Sequence, residues 1–185
     1  MGMIFVKQKR FQEAEDYFQH ALRVLPKDPE AHLNLGGLYK ETGRKQEAEL
    51  QLRAAVAIGP MNSGARNQLG ELYLEQQRFA EAEEHFRRAV EISPDARGYN
   101  GLGEVYLRRH EDTLAEQAFK QANGLDPFDS RAHLSLGSLY AKTGRIVEAV
   151  REYQLGLLTD PLNREAQAAL ESLKAQTQHA HPPKT

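Results

Sequence analysis

The sequence predicts an all-α protein, specifically an α-solenoid of repeated antiparallel helix pairs. The dipeptide Leu-Gly recurs at intervals of 34, 33 and 34 residues, and a tyrosine follows each of these glycines three places later. A proline closes each unit, at Pro60, Pro94, Pro127 and Pro161. A fixed period near 34 residues is typical of one helical unit stacked on copies of itself. We therefore expect an extended surface rather than an enclosed pocket.

The repeated positions fit two helices in each unit. In the second copy, His32, Leu35, Gly36 and Tyr39 follow the spacing of one face of an α-helix. Twelve residues after each glycine an alanine begins a second apolar face, in this copy at Ala48. Because a glycine inside a helix costs about 1 kcal/mol relative to alanine, its repetition indicates that two helix backbones approach closely there.

The period divides the chain into seven segments. Residues 1–28 are a partial first copy, which lacks the first half of its first helix, and complete copies follow at 29–62, 63–95, 96–129 and 130–163. An N-cap residue stands before each first helix: Asp28, Asn62, Asp95, Asp129 and Asn163. Residues 164–177 are predicted to form a capping helix. Glu171 stands there at the position of the repeated glycine, and a charged residue fits that position only if no partner helix packs against it. Residues 178–185 have no pattern, which predicts a disordered tail.

The turn between the two helices of a unit needs a residue that ends a helix. Gly43 and Gly144 suit a left-handed C-terminal cap at this point. Gln77 and His110 occupy the same place, where a side chain is less favourable. We predict the same left-handed backbone at all four.

The N-terminal edge is predicted to be apolar and uncapped. Phe5, Phe11 and Phe18 lack the packing that a complete first helix or a preceding repeat would supply. Either the chain is a fragment of a longer array, which we favour, or this edge associates with another chain, including by self-association.

The pattern of Leu-Gly, Tyr, Ala, aromatic, Ala and Pro resembles the tetratricopeptide repeat family, from the first residue to about Pro161. The resemblance implies a right-handed superhelix in which the first helix of each pair lines a concave groove. A groove of this kind binds a protein or peptide, so a scaffold or adaptor role is expected. The alternative is a structural or oligomerising region of a larger protein whose catalytic domain, for example a glycosyltransferase, lies elsewhere.

The predicted groove residues lie on each first helix, away from its Leu-Gly-Tyr face. Amide side chains there could pair with a peptide backbone, and arginines could hold carboxylates. They are Asn34, Lys40, Asn67, Gln68, Glu71, Glu75, Arg97, Asn100, Glu104, Arg108, Arg131, Ser135, Ser138 and Lys142. The charges change from acidic to basic along the array, which favours a ligand with both signs.

One subgroup of this family binds the acidic C-terminus of heat-shock chaperones through a clamp of lysine, asparagine and arginine side chains. Asn34 matches the middle asparagine of that clamp. Its required neighbours are missing, since Met3 stands at the upstream asparagine position and Gly64 and Gln68 replace the lysine and arginine. We therefore expect a ligand other than a chaperone tail.

Composition argues against several other functions. The 185 residues contain no Cys and carry a formal charge of −2, and the pI near 6.4 argues against a nucleic-acid binder. His32 and His133 share one position on a buried helix face, so they are interpreted as packing residues. No catalytic, cofactor or metal-binding motif occurs, and we predict that the chain is no enzyme. No run approaches the roughly 20 apolar residues of a membrane span, so no membrane association and a cytoplasmic location are expected.

Overall fold

The computed structural model describes residues 1–180, and this part of the chain is helical with no strand. The helices are α1 (Gly2–Lys7), α2 (Phe11–Val24), α3 (Pro29–Glu41), α4 (Lys45–Ile58), α5 (Ser63–Glu75), α6 (Phe79–Ile92), α7 (Ala96–Arg108), α8 (Asp112–Leu125), α9 (Ser130–Lys142), α10 (Ile146–Thr159) and α11 (Arg164–Ala180). They form two compact units, unit 1 from Met1 to Pro94 and unit 2 from Asp95 onwards. The predicted all-α architecture of helix pairs is confirmed.

In unit 1 the helix pairs are α1–α2, α3–α4 and α5–α6. A Cβ added at Gly36 would lie 2.7 Å from Leu52 Cγ, and one at Gly70 would lie 3.0 Å from the Phe86 ring. Leu52 and Phe86 are fully buried. The repeated glycines therefore mark close helix contacts, as the sequence predicted.

In unit 2 the pairs α7–α8 and α9–α10 repeat this contact, and α11 packs on α10. A Cβ at Gly103 would lie 2.5 Å from Phe119 Cε1, and one at Gly137 would lie 3.0 Å from the Tyr153 ring. Both aromatic side chains are buried. Glycine and a large side chain are thus complementary in each pair.

The predicted N-caps are confirmed on all five first helices that follow a proline turn. In each, the side-chain oxygen accepts a hydrogen bond from a backbone N–H two or three residues later, as Asn62 does from Ala65 at 2.9 Å. The other capping residues are Asp28, Asp95, Asp129 and Asn163. Satisfying these N–H groups fixes where each first helix begins.

The turns inside the pairs have the predicted left-handed backbone. Gly43 and Gly144 have φ of 77°, and Gln77 and His110 have φ of 60° and 61°. Lys9, at the same position in the first pair, has φ of 58°. The turn geometry is therefore constant while the residue that adopts it changes.

Two terminal predictions require correction. The disordered tail predicted from residue 178 is wrong for residues 178–180, because α11 runs to Ala180 and no glycine or proline interrupts it. Residues 181–185 of that predicted tail lie outside the described residues. At the other end Phe18 is buried, contrary to expectation, because the backbone of Gly2 packs against its ring.

Successive helix pairs are joined by a set of polar contacts that was not predicted from the sequence. In unit 1, Arg44 Nη1 lies 2.6 Å from Glu15 Oε2 and the guanidinium stacks 4.1 Å from the centroid of Tyr39. The Tyr39 hydroxyl donates to Glu15 Oε1 at 2.9 Å. The same trio recurs as Arg78, Tyr73 and Glu49, and in unit 2 as Arg145, Tyr140 and Glu116. We call it the Arg-Tyr-Glu trio.

No helix within residues 1–180 combines the length and the apolar character that crossing a bilayer requires.

Candidate functional site

The first-helix surface of unit 1 is centred on an ion pair between neighbouring repeats. Lys40 on α3 and Glu71 on α5 approach to 2.5 Å, with side chains 21% and 25% exposed. Glu75, one turn further along α5, lies 3.6 Å from Lys45. Lys40, Glu71 and Glu75 were predicted as binding residues. Lys40 and Glu71 pair with each other, whereas Glu75 pairs with Lys45 at the start of α4.

Small residues shape the same surface. A Cβ at Gly37 would lie 3.0 Å from Gln68 Oε1, so the absence of a side chain on α3 leaves room for the amide of α5. Gln68 Oε1 is buried and accepts no hydrogen bond within the described part of the chain. Asn34 is half-buried on α3. Asn34 and Gln68 are therefore both half-buried, and the Gln68 oxygen is not exposed.

In unit 2 the first-helix surface is organised by the cap of α9. Asn100 Nδ2 on α7 donates to Asp129 Oδ2 at 2.9 Å, and Arg131 Nη2 donates to the same oxygen at 2.6 Å. Burial opposes ionisation of Asp129, but the hydrogen bonds from Arg131 and Asn100 outweigh it and lower the pKa of this carboxyl. Asp129 therefore joins α7 to α9 while capping α9.

The remaining predicted residues of unit 2 include two further ion pairs. Arg108 lies 2.7 Å from Glu104 one turn earlier on α7, and Lys142 lies 3.1 Å from Asp112 at the start of α8. Three other predicted residues follow: half-buried Arg97 and Ser135, and exposed Ser138.

Two predicted binding residues are corrected by their burial. Asn67 is 1% exposed and Asn100 is 8% exposed, so neither presents its side chain to a ligand. Both stand three residues before the repeated glycine, on the buried face of a first helix. The side-chain amide of Asn100 donates a hydrogen bond to Asp129, the N-cap residue of α9. These residues are structural in this conformation.

The two surfaces differ in charge. Among the predicted residues, unit 1 has one basic and two acidic side chains, whereas unit 2 has four basic side chains and one acidic. The exposed fractions of the Arg108, Arg131 and Lys142 side chains are 58%, 60% and 49%. Among the predicted residues, those of unit 2 are therefore the more basic set.

The histidines of the first helices are held by packing and hydrogen bonds. His133 is buried, with Nδ1 2.7 Å from Glu152 Oε2 and Nε2 3.1 Å from the carbonyl oxygen of Pro127. His32 makes the equivalent contacts with Gln51 and Pro26. Within residues described by the structure, no group of three or more His, Asp or Glu side chains is arranged to hold a metal ion.

Comparison with known sequences agrees with this architecture. One tetratricopeptide repeat profile matches residues 5–63 and 113–176, and a second matches residues 51–97 and 67–130. No curated protein sequence matches the chain.

Solved structures resemble the chain over most of its length. TTC0263, a thermophilic TPR protein of Thermus thermophilus, is 25% identical with a TM-score of 0.77, covering 94% of this chain and 95% of that one. PilF of Pseudomonas aeruginosa is 20% identical with a TM-score of 0.84, covering 99% and 90%. YrrB, described as a TPR protein with an unusual peptide-binding site, is 20% identical with a TM-score of 0.69, covering 87% and 84%.

Proposed function

Because the chain belongs to the tetratricopeptide repeat family, we propose that it is a protein-interaction module that binds an acidic peptide segment on the first helices of unit 2. The observation that supports this most is the set of exposed basic side chains on α7 and α9, namely Arg108, Arg131 and Lys142. The role is one of binding rather than catalysis, and a cytoplasmic location stays a prediction.

The ion pairs of this surface are compatible with ligand binding. Each of the three basic side chains is paired with a carboxylate of the chain itself, yet each remains about half exposed. Exposed pairs of this kind contribute only about 0–1 kcal/mol. A ligand carboxylate can therefore replace or share such a partner at little cost, and arginine offers it a bidentate geometry.

The unit 1 surface carries less positive charge and is suited to a different kind of ligand segment. Lys40 and Glu71 neutralise each other, and Glu75 is exposed. We propose that this surface contacts a neutral or basic segment, with Asn34 and Gln68 as hydrogen-bonding groups. The description of YrrB as having a peptide-binding site, although that similarity shows the fold alone, is consistent with an array of this kind used for peptides.

The test uses a fluorescein-labelled peptide of ten residues with alternating Glu and Ser, and a Lys-Ser peptide as its counterpart. We expect the Glu-Ser peptide to bind, and Arg131→Glu to weaken its affinity about tenfold, because an attractive contact becomes repulsive. The matched control is Arg151→Glu, which makes the same charge change on the exposed face of α10. If both substitutions weakened peptide binding equally, the loss would come from the net charge of the chain alone, and the proposed site would be refuted.

A further inference from the structure

A cleft lies between α4, α5 and α6 in unit 1, and none of the residues proposed above for peptide binding lines it. Its volume is about 290 Å³, at the lower end of the range for pockets that hold small ligands. Val56 on α4 and the Tyr73 ring on α5 give it apolar surface. Its polar groups come from Arg53 on α4 and from Glu81 and His85 on α6. The cleft therefore combines apolar surface with charged and hydrogen-bonding groups.

His85 brings hydrogen-bonding capacity to the cleft that the chain does not use. The ring makes no hydrogen bond within residues 1–180, and its Nδ1 is buried. At the equivalent positions of unit 2, Glu152 is bonded to His133. In this repeat the first helix has Arg66 instead of a histidine, and its Nε donates to the carbonyl oxygen of Pro60 at 3.0 Å. Because burial lowers the pKa of His85 below 6.5, the ring is neutral at pH 7 and holds one N–H donor.

Arg53 is the charged group of the cleft that the chain engages least. Lys120, at the same position of a second helix in unit 2, donates to the trio carboxylate Glu116 at 2.6 Å. Arg53 Nη1 instead lies 3.8 Å from Glu49 Oε1, which is too long for a hydrogen bond. Its side chain is 68% exposed. The guanidinium can therefore bind a ligand without giving up a strong contact.

The acidic groups beside the cleft are already bound by another arginine. Arg78 donates through Nη1 to Glu49 at 2.8 Å and through Nε to Glu81 at 2.6 Å. The Tyr73 hydroxyl also donates to Glu49, at 3.3 Å. Since the carboxylates are paired and the Arg53 guanidinium is not hydrogen-bonded to them, an anion suits the cleft better than a cation does.

We propose that this cleft binds a small carboxylic acid with an aromatic or branched aliphatic body. The carboxylate pairs with Arg53, whose guanidinium offers two parallel N–H donors. The apolar body lies against Val56 and the rings of Tyr73 and His85, whose centroids are 5.5 Å apart. The unused N–H of His85 is a second donor in the lining. This site is separate from the proposed peptide site on α7 and α9.

The experiment titrates phenylacetate at pH 7 into the full chain labelled with ¹⁵N, and follows the amide and imidazole signals. We expect binding in the millimolar range, with shifts on α4, α5 and α6 that include the His85 ring. Phenylacetamide, the neutral analogue, should bind about tenfold more weakly, because it lacks the charge that Arg53 recognises. Arg53→Gln should weaken phenylacetate binding about tenfold for the same reason and leave phenylacetamide binding unchanged.

Two further variants separate the site from the charge of the chain. Arg87→Gln is the matched control, because Arg87 occupies the same position on α6 and its Nε is bonded to Glu83 at 2.8 Å. It should leave the affinity for phenylacetate unchanged. His85→Phe keeps an aromatic ring but removes the N–H donor, so it should weaken phenylacetate binding about fivefold.

Four results would overturn the proposal. They are an absence of shifts on α4, α5 and α6 at the solubility limit of phenylacetate, equal affinity for phenylacetate and phenylacetamide, equal losses in Arg53→Gln and Arg87→Gln, and tighter binding of benzylamine than of phenylacetate. N-acetylglycylphenylalanine carries the same chemical groups at the end of a peptide chain. If it bound more tightly than phenylacetate and lost affinity in Arg53→Gln, the cleft would be supported and its carboxylate assigned to a peptide C-terminus.

Discussion

Unit 1 and unit 2 use the same packing positions but place different polar pairs beside them. Gly70 packs on Phe86 in unit 1, and Gly103 packs on Phe119 in unit 2. In unit 2, His133 on α9 is bonded to Glu152 on α10.

At the corresponding positions unit 1 has Arg66 and His85 in one repeat, and His32 bonded to Gln51 in another. Arg66 donates to the carbonyl oxygen of Pro60 at 3.0 Å, whereas His85 Nδ1 is buried and makes no hydrogen bond within the described residues. The comparison shows that small and large apolar residues define the helix pair, while the polar residues around them vary without changing the fold.

The largest effect is expected from filling a glycine contact. In Gly103→Ala the new Cβ would lie 2.5 Å from Phe119, which is buried, so the ring or a helix must shift and we expect a loss of about 2 kcal/mol. Gly70→Ala, at 3.0 Å from Phe86, should lose less, because the helix propensity of alanine offsets part of the strain. Urea unfolding followed by circular dichroism measures both free energies of unfolding.

Gly124→Ala is the control for these glycine substitutions. A Cβ at Gly124 on α8 would meet nothing within 4 Å, so alanine should stabilise by about 0.5 kcal/mol. Similar losses in all three variants would show that the glycines are not required by packing.

The next effect concerns the polar pairs. Glu152→Leu leaves the buried His133 Nδ1 without its hydrogen-bond partner on α10, and we expect it to destabilise unit 2 by about 1–2 kcal/mol. His85→Phe in unit 1 removes a buried nitrogen that lacks a hydrogen bond, so it should be neutral or stabilising. The free energies of unfolding of the two variants at pH 7 are compared directly, and a loss in His85→Phe as large as in Glu152→Leu would contradict the distinction.

The pH dependence adds a second measurement for His85. Burial lowers the pKa of His85 from its ordinary value of 6.5, so below that pH the unfolded chain binds a proton that the folded chain resists. Stability contributed by the neutral ring is therefore lost as the pH falls from 7 to 5. His85→Phe should show a smaller loss over this interval than the parent.

The Arg-Tyr-Glu trio gives a smaller effect, which is lost at a lower pH than that of His85. Hydrogen bonds from Arg145, Lys120 and Tyr140 lower the pKa of Glu116 from 4.5 to about 2, against the opposing effect of burial. Its contribution to stability is present above pH 4.5 and is lost as the pH falls towards 2. Glu116→Gln should destabilise by about 1 kcal/mol at pH 7 and lose less stability in acid. An unchanged acid unfolding profile would exclude Glu116 as a contributor.

Sequence reasoning predicted the parts of the fold that depend on local geometry and a fixed period. The glycine contacts, the N-caps such as Asn62 and the left-handed turn at Gln77 each follow from one residue and its spacing. The burial of Asn67 and Asn100 could not be predicted that way, because it depends on neighbouring elements. The trio was accessible in principle, since Glu15, Glu49 and Glu116 share one position of the repeat and precede an arginine by 29 residues.

The smallest effect is expected at the turns, where both unit 1 and unit 2 hold non-glycine residues in a left-handed conformation. Gln77 has φ of 60° in unit 1 and His110 has φ of 61° in unit 2, while Gly43 and Gly144 adopt the same turn without strain. Gln77→Gly and His110→Gly should each stabilise the folded chain by about 0.5–1 kcal/mol, because glycine adopts this conformation without strain. Part of this gain is offset because glycine also increases the conformational entropy of the unfolded chain. Thermal melting compares the two variants with Gly43→Gln, which should be destabilised by a similar amount. If both glycine variants melted clearly below the parent, these side chains would contribute contacts that outweigh the backbone strain.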